Sequence, residues 1–188
     1  MTDKVCIGVV CPDYIATKTV GTLVSLMKKY PNLGVIIKQG CYVHKNREDV
    51  VLDAQKGGFT HLFFVDADMC FSPLVLQRLL SHDKDIIGGV YHYRRLPKEP
   101  VVRFVDENGE PTFKEIPKEP FKCFALGTGC LLIKMSVFDK LKRPWFWLGD
   151  GENQIGEDIY FCREAQKVGY EIWGDPTVEV GHVGENIF

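Results

Sequence analysis

Two aspartates one residue apart, Asp66 and Asp68, close the run His61-Leu62-Phe63-Phe64-Val65. Four consecutive apolar residues of this kind read as a strand buried on both faces. A lone buried carboxylate is costly or takes up a proton, so two this close belong at an exposed strand end where a cation can neutralise them. In an open α/β sheet the carboxyl ends of the strands are also where ligands bind. A solvated turn is the plain alternative for any Asp-x-Asp, and the rest of the chain decides between the two.

Two further groups can partner these carboxylates. His182 stands between glycines in Val180-Gly181-His182-Val183-Gly184, at the end of a short apolar stretch. Carboxylate oxygens suit Mg²⁺ and Mn²⁺, and an added imidazole moves the preference toward Mn²⁺; otherwise His182 is a surface histidine. Gly156-Glu157-Asp158 opens a helix-like segment running to Val168. Acidic residues there complement the helix dipole, or one of them serves as a general base toward an acceptor hydroxyl.

The elements that must hold these groups follow from apolar spacing. Val5 to Cys11 is a strand stopped by Pro12-Asp13. Val20, Leu23, Val24 and Met27 recur at helical spacing up to Tyr30, before Pro31-Asn32. Leu33 to Lys38 is a second strand. Asn46 is the expected N-cap of a helix through Lys56, with Val50, Val51 and Ala54 facing inward and Gly57-Gly58 ending it. After the Asp66 strand, Ser72-Pro73 starts a helix with Leu76, Leu79 and Leu80 on its core side, and Ile86 to Tyr93 is a fourth strand. This β-α-β-α-β-α-β order predicts an α/β fold with a mostly parallel central sheet and helices on both faces. Val101 to Val105 and Thr112 to Ile116 flank a turn near Asn108-Gly109 and predict a small β-hairpin region. Cys123 to Leu126 and Cys130 to Lys134 are further apolar runs, and Tyr170 to Trp173 and Val178 to Val180 are final strands. Trp145 and Trp147, at i and i+2, share a face if their segment is a strand.

At 188 residues, with no repeats or linker, residues 1–188 are expected to form a single domain. A net charge of −2 supplies no global field for nucleic acid or anionic membrane. Seven scattered cysteines without C-x-x-C pairing predict free thiols, no apolar run approaches the length of a bilayer span, and Met1-Thr2-Asp3-Lys4 leads straight into a strand without a signal peptide's apolar core. The expectation is a cytoplasmic protein.

The chain resembles the GT-A glycosyltransferases related to family 2, a resemblance also suggestive of compact viral or phage members. It rests on Phe63-Phe64-Val65-Asp66-Ala67-Asp68-Met69 as a DXD motif and Gly127-Thr128-Gly129-Cys130-Leu131-Leu132-Ile133 as a mid-domain glycine segment. Gly156-Glu157-Asp158-Ile159-Tyr160-Phe161-Cys162 resembles the acidic ED motif, and Gly181-His182-Val183-Gly184 the C-terminal metal histidine. The set covers nearly the whole chain in order.

The resemblance implies transfer of a sugar from a nucleoside diphosphate-sugar, expected to be UDP-linked, to a hydroxyl acceptor. It implies Mn²⁺ or Mg²⁺ held by Asp68 and His182, with Asp66 on the ion or on the ribose, and Asp158 as base with Glu157 second. Both inverting and retaining outcomes stay open. Cys11, Pro12 and Asp13 at the first strand's end, with Asn46 and Arg47, are the expected nucleoside contacts. Ala67, Gly127, Thr128 and Gly129 line the donor. In Gly88-Gly89-Val90-Tyr91-His92-Tyr93-Arg94-Arg95, Arg94 or Arg95 lies near phosphate. Trp147 is a sugar- or base-stacking candidate. The chain ends six residues after His182, predicting a minimal acceptor site, one that is mobile, or one completed by another subunit. Glycans and hydroxymethylated DNA bases are the acceptors considered, with Lys45, Arg47, Arg94, Arg95 and Lys98 as the few possible DNA-phosphate contacts. Two other readings compete. One is a GT-A-like protein that binds nucleotide or glycan without turnover. The other is a phosphatase of the haloacid dehalogenase type, which however wants its D-x-D on the first strand.

Overall fold

Side chains alternate across a strand, and on the Asp66 strand both faces are apolar, so each needs its own layer of helices. The computed structural model, which describes residues 3–105, 111–112, 114–149 and 154–184, has this arrangement. The first half runs β1 (Val5–Cys11), α1 (Thr17–Lys29), β2 (Gly34–Gln39), α2 (Val43–Lys56), β3 (His61–Asp66), β4 (Met69–Phe71), α3 (Leu74–Ser81) and β5 (Ile86–Gly89). Then come β6 (Val102–Val105), β7 (Pro111–Thr112), β8 (Phe121–Cys123), β9 (Ala125–Leu126), β10 (Cys130–Lys134) and α4 (Ser136–Lys140). The chain finishes with α5 (Glu157–Lys167), β11 (Ile172–Asp175) and β12 (Val180–His182).

The central sheet has seven strands in the order β2-β1-β3-β10-β5-β11-β8. It is mainly parallel; β10 runs antiparallel between β3 and β5, and β8 antiparallel at the edge beside β11. Leu62 and Phe64 of β3 pack on one face with Val50, Val51 and Ala54 of α2 and Phe161, Cys162 and Ala165 of α5. Phe63 and Val65 pack on the other with Leu23 and Leu26 of α1 and Val75, Leu76 and Leu79 of α3. The expected mostly parallel sheet with helices on both faces is observed. All seven cysteines are free, and burial pushes the thiols of Cys6 and Cys130 up to about 12. Among the described residues no helix is long and apolar enough to cross a membrane.

Several local expectations are corrected. On α1 the core stripe is Thr19, Thr22, Leu23 and Leu26, while Val20, Val24 and Met27 are exposed. Thr22 Oγ1 accepts the Phe71 N–H at 3.2 Å, which turns this face of α1 toward the backbone of β4. The N-cap of α2 is Tyr42, and Asn46 lies in the first turn, where its Nδ2 donates to the Gly40 carbonyl. The fourth strand stops at Gly89. Residues 144–147 form no strand: the buried Glu48 carboxylate accepts the Trp145 and Phe146 N–H groups and Arg143 Nε, looping the segment over α2. The hairpin pairing appears as Phe104 opposite Thr112 and Val105 opposite Pro111; its turn near Asn108-Gly109 lies outside the described residues.

Candidate functional site

Past the turn after Asp66 the chain makes β4, and β12 pairs with it antiparallel, setting His182 opposite Met69. The Val183 N–H donates to the Asp68 carbonyl. This two-stranded ribbon brings the far end of the polypeptide to the Asp-x-Asp turn.

The side chains meet there. His182 Nε2 is 3.3 Å from Asp68 Oδ2, and His182 Nδ1 is 2.9 Å from the His92 carbonyl oxygen. A carbonyl only accepts, so Nδ1 carries the proton. In the neutral ring Nε2 is then a lone pair facing a carboxylate, a contact that needs a proton or a cation between them. A ligating histidine characteristically donates its other N–H to a carbonyl in this way. Arg94 Nη1 lies 3.2 Å from the same Asp68 oxygen. Burial raises the Asp68 carboxyl, but His182 and Arg94 outweigh it and hold the group below the usual carboxylate range.

Asp66 faces elsewhere. Strand alternation sends it to the side of Leu62 and Phe64, under α2 and α5, where Arg47 Nη2 holds its Oδ1 at 2.9 Å. Arg47 Nε also binds Glu157 Oε1 at 3.1 Å. Among the described residues no three His, Cys, Asp or Glu groups gather as a metal cluster. The donor set at the ribbon is Asp68 with His182, and Asp66 stands apart from it. One carboxylate and one imidazole still fit an ion of the Mg²⁺ or Mn²⁺ class, which keeps several waters and fills out its shell with substrate phosphates.

Asp158 sits in the first turn of α5, next to Glu157, and its Oδ1 accepts the Ile159 N–H. Burial, and then the charge of Glu157, push its carboxyl up to about 6, against the pull of Arg47. Asp158 borders a small cavity of about 10 Å³ with Gly127, Tyr93 and Arg103, and stays partly exposed.

Tyr91 joins these parts. It is buried, its ring meets His182 edge-on at 5.6 Å, and its hydroxyl accepts the Gly129 N–H at 3.0 Å. The Gly129 carbonyl in turn accepts the Asp66 N–H. A Cβ at Gly127 would stand 2.2 Å from the Tyr91 hydroxyl oxygen and 2.7 Å from Val101 Cγ1. Gly127→Ala is therefore expected to destabilise the fold by about 1–3 kcal/mol, as overpacking does, measurable by urea denaturation.

The comparisons with known proteins bear on this arrangement through shape alone. No protein-family model matches the sequence, and no curated protein is similar to it. Among solved structures, A197 from STIV superposes with a TM-score of 0.70 at 18% identity, over 96% of this chain and 86% of that one. The fold is GT-A-like. GalNAc-T7, solved with UDP, GalNAc and Mn²⁺, matches with a TM-score of 0.57 at 13% identity, over 96% of this chain and 44% of that one. The inositol-1-phosphate CTP transferase from T. maritima matches with 0.53 at 15%, over 97% and 91%. The neighbours thus include transferases.

β1 ends at Cys11, whose carbonyl accepts the Gly40 N–H; Pro12 and Asp13, just beyond it, are exposed. Ala67, Thr128 and the glycines beside it are buried. Arg47 is not presented to solvent, being only 2% exposed. The sequence held the signal: Arg47 is one turn ahead of Val50, Val51 and Ala54, on the same inward stripe of α2. Trp145 is buried, whereas Trp147 is 36% exposed, its ring edge-on to His44 at 5.7 Å. Glu48 and Tyr91 escaped sequence reasoning as individuals, since their roles come from contacts distant in the chain. A groove of about 1070 Å³ is lined by α1, β4, α3, Val90, His92 and residues 176–181; it adjoins the His92 that holds His182 but includes none of Asp66, Asp68, Asp158 or His182.

Proposed function

We propose that this chain is a metal-dependent glycosyltransferase, moving a sugar from a UDP-sugar to a hydroxyl acceptor within one domain. The observation that carries the reading is the Asp68–His182 pair: His182 Nε2 stands 3.3 Å from the Asp68 carboxylate, past the carboxyl end of β3 in the mainly parallel sheet, with the ring held by the His92 carbonyl. The UDP and Mn²⁺ named for GalNAc-T7 support the choice of donor and ion.

Asp68 and His182 would hold the ion, with Mn²⁺ favoured by the imidazole. When bound, it neutralises the diphosphate and makes it a better leaving group. Asp13 faces the nucleoside end, and Arg94, displaced from Asp68, turns to the phosphates. Asp158 takes the proton of the acceptor hydroxyl. Its raised pKa suits this role, since a base is most effective when its pKa lies near the working pH. The acceptor is a glycan hydroxyl or that of a modified base.

The test is incubation with Mn²⁺ and a panel of nucleotide-sugars, with glycan and hydroxymethylated-DNA acceptors. UDP release tied to product formation supports transfer. Binding of UDP–Mn²⁺ without release makes the protein a binder, and release of phosphate from phosphomonoesters makes it a phosphatase. Pyrophosphate release from CTP and a sugar phosphate makes it a nucleotidyltransferase.

Arg94 gives a prediction of unusual sign. Half-exposed, it competes with a cation for Asp68 Oδ2. Exposed ion pairs are worth about 0.2–1 kcal/mol, so Arg94→Gln should tighten Mn²⁺ binding to the nucleotide-free protein by up to about fivefold. UDP–Mn²⁺ binding should weaken. Calorimetric titration with and without UDP reads both effects.

A further inference from the structure

Arg47 was expected at the nucleoside, on the surface of the first turn of α2. The fold puts it inside. Its side chain is 3% exposed, and its guanidinium carbon lies 5.2 Å from the centre of the Phe64 ring. Nη2 is taken by Asp66 and Nε by Glu157. Nη1 is buried and finds no acceptor among the described residues. This edge of the guanidinium is enclosed and so is not presented to a nucleobase.

The two carboxylates it joins come from opposite halves of the chain. Asp66 ends β3, two residues before Asp68; Glu157 opens α5, one residue before Asp158. The guanidinium fork is planar and rigid, so two carboxylates on two of its nitrogens are held at a set distance, which a lysine's single ammonium cannot reproduce. We infer that Arg47 is a positioning residue, an internal strut that keeps the Asp66-Ala67-Asp68 turn and the first turn of α5 in register and makes no contact with the nucleotide. The inference deepens the transferase reading and rests on it for the roles of Asp68 and Asp158; the strut itself rests on the buried contacts alone.

The next residue adds to the picture. Glu48, also buried, anchors the segment at 145–146 from the same turn of α2. Two consecutive charged residues on one helix turn are therefore spent inward, tying α2 to three separate elements.

The experiment uses Arg47→Ala, Arg47→Lys and Glu157→Gln in the full chain, well below their melting temperatures. Misplacing reacting groups by about an ångström can cost 10²-fold, so Arg47→Ala is expected to lower turnover at saturating donor by about that factor. The KM for donor and the affinity for UDP–Mn²⁺ change far less than turnover does, because Asp68, His182 and the nucleotide contacts themselves remain. Added guanidinium ion, which fits the space vacated, restores most of the lost rate, and urea at the same concentration does not. Arg47→Lys keeps the charge and regains little turnover. Hydrogen exchange supplies a reading independent of activity. The Ile159 and Tyr160 amides exchange faster in Arg47→Ala, slow again with guanidinium, and exchange at an intermediate rate in Glu157→Gln, which serves if Arg47→Ala does not fold.

A weakened affinity for UDP–Mn²⁺ with unchanged turnover at saturation would make Arg47 a nucleotide contact and overturn the strut. Unchanged exchange in all three variants would overturn it as well. A wild-type protein that transfers no sugar sinks the transferase reading instead, and the exchange measurements still decide the strut.

Discussion

Asp158→Asn will stop sugar transfer, leave UDP–Mn²⁺ binding intact, and make the protein more stable at alkaline pH. Loss of a positioned general base is worth about 10²–10⁴-fold in rate, and nothing in the Asp68–His182 contact passes through Asp158. The stability gain comes from the same environment. Burial first, and the adjacent Glu157 charge second, raise this carboxyl from 3.8 in the unfolded reference to about 6. The folded state therefore binds this proton more tightly than the unfolded chain. Its contribution is fully present below about pH 4 and is lost as pH rises through about 6. Two pKa units correspond to at most roughly 3 kcal/mol, and to less in proportion to the solvent that reaches the group. Asn does not ionise, and its Oδ1 can still accept the Ile159 N–H, so the variant keeps what the wild type gives up. Urea denaturation of the metal-free proteins near pH 4 should give equal stabilities, and near pH 8 the variant should lead. The wild-type kcat/KM should also rise about tenfold per pH unit below about 6 and level off above it. Retained transfer in Asp158→Asn removes this residue from the base role, and a stability difference indifferent to pH removes the account of its ionisation.

The fold was legible because its determinants are local and repetitive. The apolar runs at Val5 to Cys11, His61 to Val65 and Cys130 to Ile133 could hardly be anything but buried strands, and the intervening helical spacings fixed the two-layer packing. Where local signals tied, tertiary contact chose. On α1 two overlapping stripes share Leu23, and a threonine that accepts a backbone N–H of β4 lies on the one that is buried, the stripe with fewer apolar residues. Strand periodicity at Trp145 and Trp147 lost to two backbone N–H groups drawn to Glu48. The antiparallel insertion of β10 between β3 and β5 left no mark in the sequence, yet it carries Gly129 to the backbone of Asp66.

The site was legible by residue type and less so by direction. Asp68 and His182, over a hundred residues apart in the sequence, meet as their chemistry suggested. Asp66 shares a motif with Asp68 but not a partner, because the alternation of β3 fixes its side and the turn releases Asp68 from that constraint. Arg47 was misjudged for a related reason: charge was read as exposure, although its spacing from Val50, Val51 and Ala54 placed it inward. A charge on an apolar stripe marks an internal pair awaiting its partner, and here there were two.

Asp68→Ala and His182→Ala are each expected to abolish transfer and to weaken Mn²⁺ binding in the presence of UDP by more than about 100-fold. Partners that merely orient a ligand are worth about 10–100-fold in metal affinity, so losing one of only two protein donors must exceed that range. The two variants should not be additive. Once either donor is gone, the other holds a cation poorly by itself, and the double variant should lie close to each single one, the signature of groups that share one partner. Asp66→Asn is the informative contrast. Its Oδ1 is engaged with Arg47, so its loss should disturb turnover far more than Mn²⁺ affinity. Titration of Mn²⁺ followed by its electron paramagnetic resonance signal, with UDP present, separates the three. If Asp66→Asn loses Mn²⁺ as completely as Asp68→Ala, the first aspartate turns onto the ion when nucleotide arrives, and Arg47 must release it. If His182→Ala binds Mn²⁺ like the wild type, the Nε2 atom held toward Asp68 by the His92 carbonyl has no cation to hold, and the metal-dependent reading falls with it.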